Sequence, residues 1–205
     1  MGAVLLSDQV TPDPQAVERA AAVLREGGVV VLPTDSVYGI CCAATAGNPA
    51  HTRIFDIKRR DRAQTLPWFI ADVCDLERYG HDVPAWALRL AERSWPGALT
   101  VVVRASEAVP PEYAQPSADG ATIALRVPGS ELDRAVIRAT GAPLAQTSAN
   151  THGAPAATSG SGDLVVDAGP APVGVASTIV DATGAEPRIL RTGALAEAEV
   201  LLALR

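Results

Sequence analysis

The stretch Lys58-Arg59-Arg60-Asp61-Arg62 sets a point-charge ammonium beside several planar guanidinium forks. These are the groups that hold a polyphosphate. The plain alternative is a solvated helix end whose cations complement the helix dipole. Three other places put polar groups directly after an apolar run: Thr34-Asp35-Ser36 with Tyr38, Arg126 before Pro128, and Thr147-Ser148 with Asn150. Strand ends that are remote in sequence and alike in chemistry are expected to line one cleft. Around Lys58–Arg62 the sequence shows no obvious set of acidic partners.

Other chemistries have little support. Neither Gly-x-x-x-x-Gly-Lys-Ser/Thr nor Gly-x-Gly-x-x-Gly after a strand occurs, so neither standard nucleotide motif applies. His51, His81 and His152 lie far apart in polar or loop contexts and read as surface residues rather than bases or zinc ligands. Ser148 lacks a Gly-x-Ser-x-Gly elbow. Cys42 reads as a small buried filler.

The apolar pattern supplies the elements that position these groups. Residues 12–27 place Val17, Ala20, Ala21 and Leu24 on one helical face with Gly27 and Gly28 as a stop. Val29-Val30-Val31-Leu32 is a strand covered on both faces, ended by Pro33. The run 41–46 reads as buried. A helix over about 49–59 carries the basic cluster at its C-terminus. Leu66–Ala71 reads as a short strand that Pro67 would confine to an edge or a bulge. Pro84 starts a helix with Trp86, Ala87, Leu90 and Ala91 as its apolar stripe. Leu99–Val103, Thr122–Val127 and Pro143–Thr147 are further strands. The Pro-, Ser-, Asp- and Gly-rich residues 105–120 between the first two read as a surface loop. Ser130-Glu131-Leu132-Asp133 resembles a capping box opening a helix to Thr140. Residues 151–162 read as the most flexible loop, and strands follow over 164–169, 177–181 and 188–191. Helices alternate with strands early and strands dominate late, which predicts a mixed twisted sheet in one domain over 1–205.

With 205 residues, 48% of them hydrophobic, the chain can bury one sizeable core. Its net charge of −6 argues against wholesale binding to nucleic acid or anionic membranes. Cys41, Cys42 and Cys74 give neither a metal-ligand spacing nor an even-numbered secreted framework, which points to a reducing, cytoplasmic setting. The first eight residues lack a basic leader or an apolar run long enough for a membrane span.

The chain resembles the YrdC family in seven motifs, in order and approximate spacing: Pro33-Thr34-Asp35-Ser36-Val37-Tyr38-Gly39-Ile40, Lys58-x-Arg60, Pro96-Gly97-x-x-Thr100, Arg126-Val127-Pro128, Ser148-Ala149-Asn150, Ser177-Thr178-Ile179-Val180-Asp181 and Arg191-x-Gly193. The resemblance runs from about residue 10 to 195. It implies an α/β fold, a single-domain twisted open mixed sheet around a central concave, positively charged cavity, in the family's short form without an extra C-terminal domain. It also implies L-threonylcarbamoyladenylate synthase activity: L-threonine, bicarbonate and ATP give threonylcarbamoyl-AMP and pyrophosphate for tRNA modification. Partner proteins would complete the transfer, with tRNA contact weak or indirect.

Carried over by position, Lys58, Arg60 and Arg126 are the expected catalytic groups. Thr34, Tyr38, Arg126 and Thr147 are expected at the threonine substrate. Lys58, Arg60, Gln64, Thr100, Ser148, Asn150 and Arg191 are expected at ATP, with Mg²⁺ shared between the phosphates and with Asp35 at a distance, and no set of protein metal ligands. One segment departs from the family. Where it commonly continues Pro-x-x-Lys-Pro-Leu or Pro-x-x-Asn-Pro-Leu, this chain reads Asp61-Arg62-Ala63-Gln64-Thr65-Leu66, a feature similar to the YciO-like paralogues. The alternatives are therefore a YciO-like protein with another carbamoyl-adenylate or carbamoyl-transfer role, or an RNA-binding module using the 58–62 cations.

Overall fold

The computed structural model describes residues 3–149, 163–169 and 174–204. Asn150 and the 151–162 segment lie outside them. The chain opens with β1 (Ala3–Leu6), which the apolar pattern did not reveal. Next comes α1 (Pro14–Arg25), where the Asp13 side chain accepts from the Gln15 and Ala16 N–H groups and Pro14 fills the first helical position. Then follow β2 (Val30–Leu32), β3 (Gly39–Ala43), α2 (Pro49–Lys58), β4 (Trp68–Phe69), α3 (Asp75–Tyr79), β5 (Gly80–His81) and α4 (Ala85–Ser94). The long strands β6 (Leu99–Ala105) and β8 (Gly120–Arg126) flank a 3-10 turn at Pro111–Tyr113 and β7 (Gln115–Ser117). The second half holds α5 (Glu131–Thr140), β9 (Leu144–Ser148), β10 (Leu164–Asp167), β11 (Thr178–Asp181), β12 (Arg188–Arg191) and α6 (Glu197–Ala203).

All described strands form one mixed sheet in the order β1-β10-β2-β3-β9-β4-β8-β6-β11-β12, with β5 on β6 and β7 on β8. Three expectations change here. β4 is central, parallel to β8 and antiparallel to β9. Pro67 is tolerated because it precedes the two-residue strand, and its carbonyl still accepts the Gln146 N–H at 3.0 Å. Residues 105–120 are also more than a surface loop. Tyr113 is 0% exposed, rests on Trp68 and His51, and donates to the Thr45 carbonyl at 3.0 Å. His51 is accordingly a half-buried ring against Phe55 and Tyr113, not a surface residue.

Alternation along the strands assigns each side chain to a face. Val29, Val31, Ile40, Cys42, Trp68, Val101, Val103, Ile123 and Leu125 face a large core closed by α2, α3, α4 and α6. Val30, Leu32, Cys41, Leu144, Leu164 and Val166 face the other way, under Ala20 and Leu24 of α1 and Leu132 and Val136 of α5. That second layer spans only one half of the sheet. Over β4, β8, β6, β11 and β12 the same face carries Phe69, Ala124, Arg126, Thr100, Val102 and Ile179, and these line a cavity instead.

Replacing Tyr113 by Ala should lower unfolding free energy by about 3 to 5 kcal/mol, as for other buried aromatic truncations. Urea denaturation measures this, and a loss below about 1 kcal/mol would mean that residues 105–120 are not packed on the core.

Candidate functional site

The cavity has a volume of about 370 Å³, within the range of small-molecule sites. Thr34, Arg60, Thr100, Arg126, Thr147, Ser148 and Arg191 all line it, so strand ends far apart in sequence do converge.

Arg60 reaches the cavity through the way α2 ends. Arg59 adopts a left-handed conformation, φ 48°, ψ 41°, where glycine is the usual residue. Its N–H returns to the Asp56 carbonyl and that of Arg60 to the Phe55 carbonyl. A non-glycine residue here costs about 1 to 2 kcal/mol. The turn sends Lys58 and Arg60 toward β9: Lys58 Nζ donates to the Ser148 carbonyl at 2.6 Å, and Arg60 lies 3.4 Å from Thr147 Oγ1. Arg60 Nε donates to Gln64 Oε1 at 2.7 Å, so Gln64 orients the guanidinium and does not itself line the cavity. Asp61, beside Arg60 in sequence, accepts the Ala63 N–H. The basic cluster does have an acidic partner, since Arg62 pairs with Asp56 at 2.7 Å.

Arg126, 3% exposed, sits at the end of β8 and spends three donors on the protein. They go to the Gly97 carbonyl at 2.8 Å, Ser36 Oγ at 2.9 Å and Asp35 Oδ2 at 2.7 Å. Its guanidinium also lies over the Phe69 ring. Arg191 is anchored to the Ser177 carbonyl at 2.8 Å, and Ser177 Oγ is 2.8 Å from Thr100 Oγ1. Ser177 thus ties the β11 and β6 ends to the arginine, a role its motif alone did not disclose. Among the described residues no carboxylate pairs with Arg60 or Arg191. Burial pushes both arginines below their ordinary value, with the Arg126 charge adding to the effect at Arg191. Burial, then the Arg60 charge, does the same to Lys58.

Of the residues expected at the amino-acid substrate, Thr34 lines the cavity and Tyr38 does not. Thr34 lines the cavity, but its hydroxyl lies 2.8 Å from the Val37 carbonyl and accepts the Ser36 and Val37 N–H groups, so it shapes its own loop. Tyr38 is buried away from the cavity, its hydroxyl 2.6 Å from the Gly169 carbonyl and 3.0 Å from Asp167 Oδ1. Cys42 is the buried filler its neighbours suggested, with its thiol pushed up to about 12 by burial.

An open mixed sheet with an arginine-lined cavity on the part of one face that its helices leave bare defines an α/β protein with a sheet-centred ligand site. The chain belongs to the Sua5/YciO/YrdC family, whose model, described by the words telomere recombination, matches residues 22–193. It is 37% identical over 201 residues to the threonylcarbamoyl-AMP synthase of Bacillus subtilis, covering 93% of this chain and 56% of that protein. The structure of Pyrococcus abyssi Sua5 complexed with L-threonine matches with a TM-score of 0.89 at 33% identity, over 98% of this chain and 60% of that one. Escherichia coli YciO matches with a TM-score of 0.83 at 26% identity, over 95% of this chain and 97% of that one. The chain spans about half the length of the first curated relatives it matches.

Asp133 on α5 is 0% exposed, with neither carboxylate oxygen hydrogen-bonded. Burial, and next the Asp35 charge, push its carboxyl well above the ordinary range. A raised folded-state value means the native protein holds a proton that the unfolded chain has released, so stability falls as pH rises from the unfolded value toward the folded one. Asp133→Asn should therefore be stabilised relative to wild type by a margin that grows from pH 4 upward. Thermal unfolding at several pH values reads it, and a constant margin would show that Asp133 is ionised in the native state.

Proposed function

We propose that the chain is an L-threonylcarbamoyladenylate synthase, a nucleotidyltransferase that makes threonylcarbamoyl-AMP and pyrophosphate from L-threonine, bicarbonate and ATP. The observation that carries this reading is the pair Arg60 and Arg191. Both sit at the cavity wall and bond only to neutral acceptors among the described residues, whereas Arg126 already has a carboxylate. Desolvated cations without counter-charge fit a polyanionic substrate. The names of the curated relatives and the L-threonine complex of the Pyrococcus protein support the same reading.

In the proposed sequence, threonine ammonium and bicarbonate give the N-carboxylate, water and a proton. One carbamate oxygen then attacks the α-phosphorus, the bond to the bridging oxygen breaks, and pyrophosphate leaves. The protein positions the reactants and offsets charge rather than supplying a strong base. Lys58 and Arg60 take the phosphates, with Gln64 holding Arg60 in place. Arg126, which has donors to spare, meets the threonine carboxylate or the carbamate. Thr147, Ser148 and Thr100 offer hydroxyls along the wall and Arg191 closes the rim, while Asn150, outside the described residues, is expected at the nucleotide. The described residues hold no group of three or more His, Cys, Asp or Glu side chains suited to a metal, and Asp35 is committed to Arg126. In this scheme Mg²⁺ enters as the counter-ion of the triphosphate, part of the substrate. The product would pass to partner proteins that modify tRNA. Among the described residues no helix is long and apolar enough to cross a membrane.

Pyrophosphate release from ATP and bicarbonate should depend on L-threonine and not be supported by glycine or serine. Release indifferent to threonine would sink the assignment. Arg60→Ala should cut the rate about 100-fold, the usual effect of losing one transition-state donor, and a near-wild-type rate would remove Arg60 from the site.

Bound phosphates should raise the Lys58 value that burial and Arg60 depress, so ATP binding takes up a proton and affinity falls as pH rises through the free-state lysine value. Calorimetry in alkaline buffers of different ionisation enthalpy measures the uptake. Its persistence in Lys58→Met would assign the proton to another group.

A further inference from the structure

Gln146 has no place in the scheme above, although its position in the cavity is unusual. It is the only lining side chain among the described residues that bears an amide or carboxylate oxygen. The residue is 3% exposed, and Oε1 is buried without a hydrogen-bond partner. Every other polar group on the wall is a guanidinium or a hydroxyl. The guanidiniums only donate and the hydroxyls can do either, so Gln146 Oε1 is the one amide oxygen that the described side chains of this wall offer to a ligand N–H.

The backbone makes room for this amide. Gln146 on β9 faces the same side of the sheet as Cys41 and Phe69, and its chain runs across Gly39 of β3. A Cβ on Gly39 would stand 1.9 Å from Gln146 Nε2 and 2.5 Å from Cδ. Only glycine leaves that space, so a polar side chain is packed against bare backbone at the cavity wall. A buried acceptor without a donor destabilises the empty protein. The two ends of the amide exchange places by a half-turn about a soft terminal torsion, so either can be presented to a ligand.

Resting on the function proposed above, we infer that Gln146 is a specificity residue that reads the carbamoylated amino group of the amino-acid substrate. When the amine becomes a carbamate it keeps one N–H, and one carbamate oxygen lies on the same side of the C–N bond as that hydrogen. The amide matches this edge at two points: Oε1 accepts the N–H and Nε2 donates to the oxygen. A plain carboxylate or phosphate offers no such N–H. The guanidiniums neutralise charge, and Gln146 distinguishes the carbamate from other anions.

The test compares wild type with Gln146→Met, which keeps the volume, and Gln146→Glu, which sets a carboxylate against the carbamate oxygen. Both should lose about tenfold or more in kcat/KM for L-threonine, Glu more than Met, while ATP affinity measured by direct binding is unchanged. The Met variant should melt no lower than wild type, because the amide oxygen it removes has no partner in the empty protein. Loss of ATP affinity with threonine parameters intact would assign the amide to the adenine edge and overturn the inference. Unchanged kinetics, or a lowered melting temperature with losses uniform across substrates, would overturn it as well. Wild-type protein without threonine-dependent pyrophosphate release defeats the functional reading itself, and this inference with it.

Discussion

A guanidinium shut inside a protein must have its charge met, and Arg126 is where this molecule faces that constraint. Its Asp35, Ser36 and Gly97 partners come from two loops, the one between β2 and β3 and the one before β6. Removing either member of the Asp35–Arg126 pair would leave an uncompensated buried charge, so both loops are held in one arrangement. Thr34 reinforces the first by bonding its own backbone. The cavity floor is therefore set by electrostatics, while the rest of the sheet is set by apolar burial.

The cavity itself is a consequence of incomplete layering. One face of the sheet is closed by α2, α3, α4 and α6; the other is covered by α1 and α5 over one half only. Where cover is missing, strand positions that would otherwise be Val or Leu are Thr100, Arg126 and Gln146. Polar groups there avoid an exposed apolar patch and at the same time face a ligand. Fold and site are one feature seen from two sides.

Charge is distributed unevenly around that space. Arg62 and Arg126 have carboxylates within 2.7 Å, while Arg60 and Arg191 bond to neutral atoms. The left-handed Arg59 stores strain next to Lys58 and Arg60, which is the kind of position where backbone cost is kept for function. Gln64 has become an internal brace for Arg60, and Asp61 is occupied by the Ala63 N–H.

Local signals in the sequence determined much of this. The covered strand before Pro33, the helices at 14–25, 85–94 and 131–140, and the cation cluster at the end of α2 follow from periodicity, caps and proline, which act over a few residues. The ordered run of short motifs likewise marks the family from sequence alone. What tertiary structure decided depended on partners distant in sequence. Pro67 before a central strand, the packed Tyr113, the withdrawal of Tyr38, the self-bonded Thr34, the buried Asp133 and the unpaired Gln146 Oε1 all depend on what lies opposite them. No window of neighbouring residues carries that information, because burial and hydrogen-bond satisfaction are set by strand order and by which half of a face the helices cover.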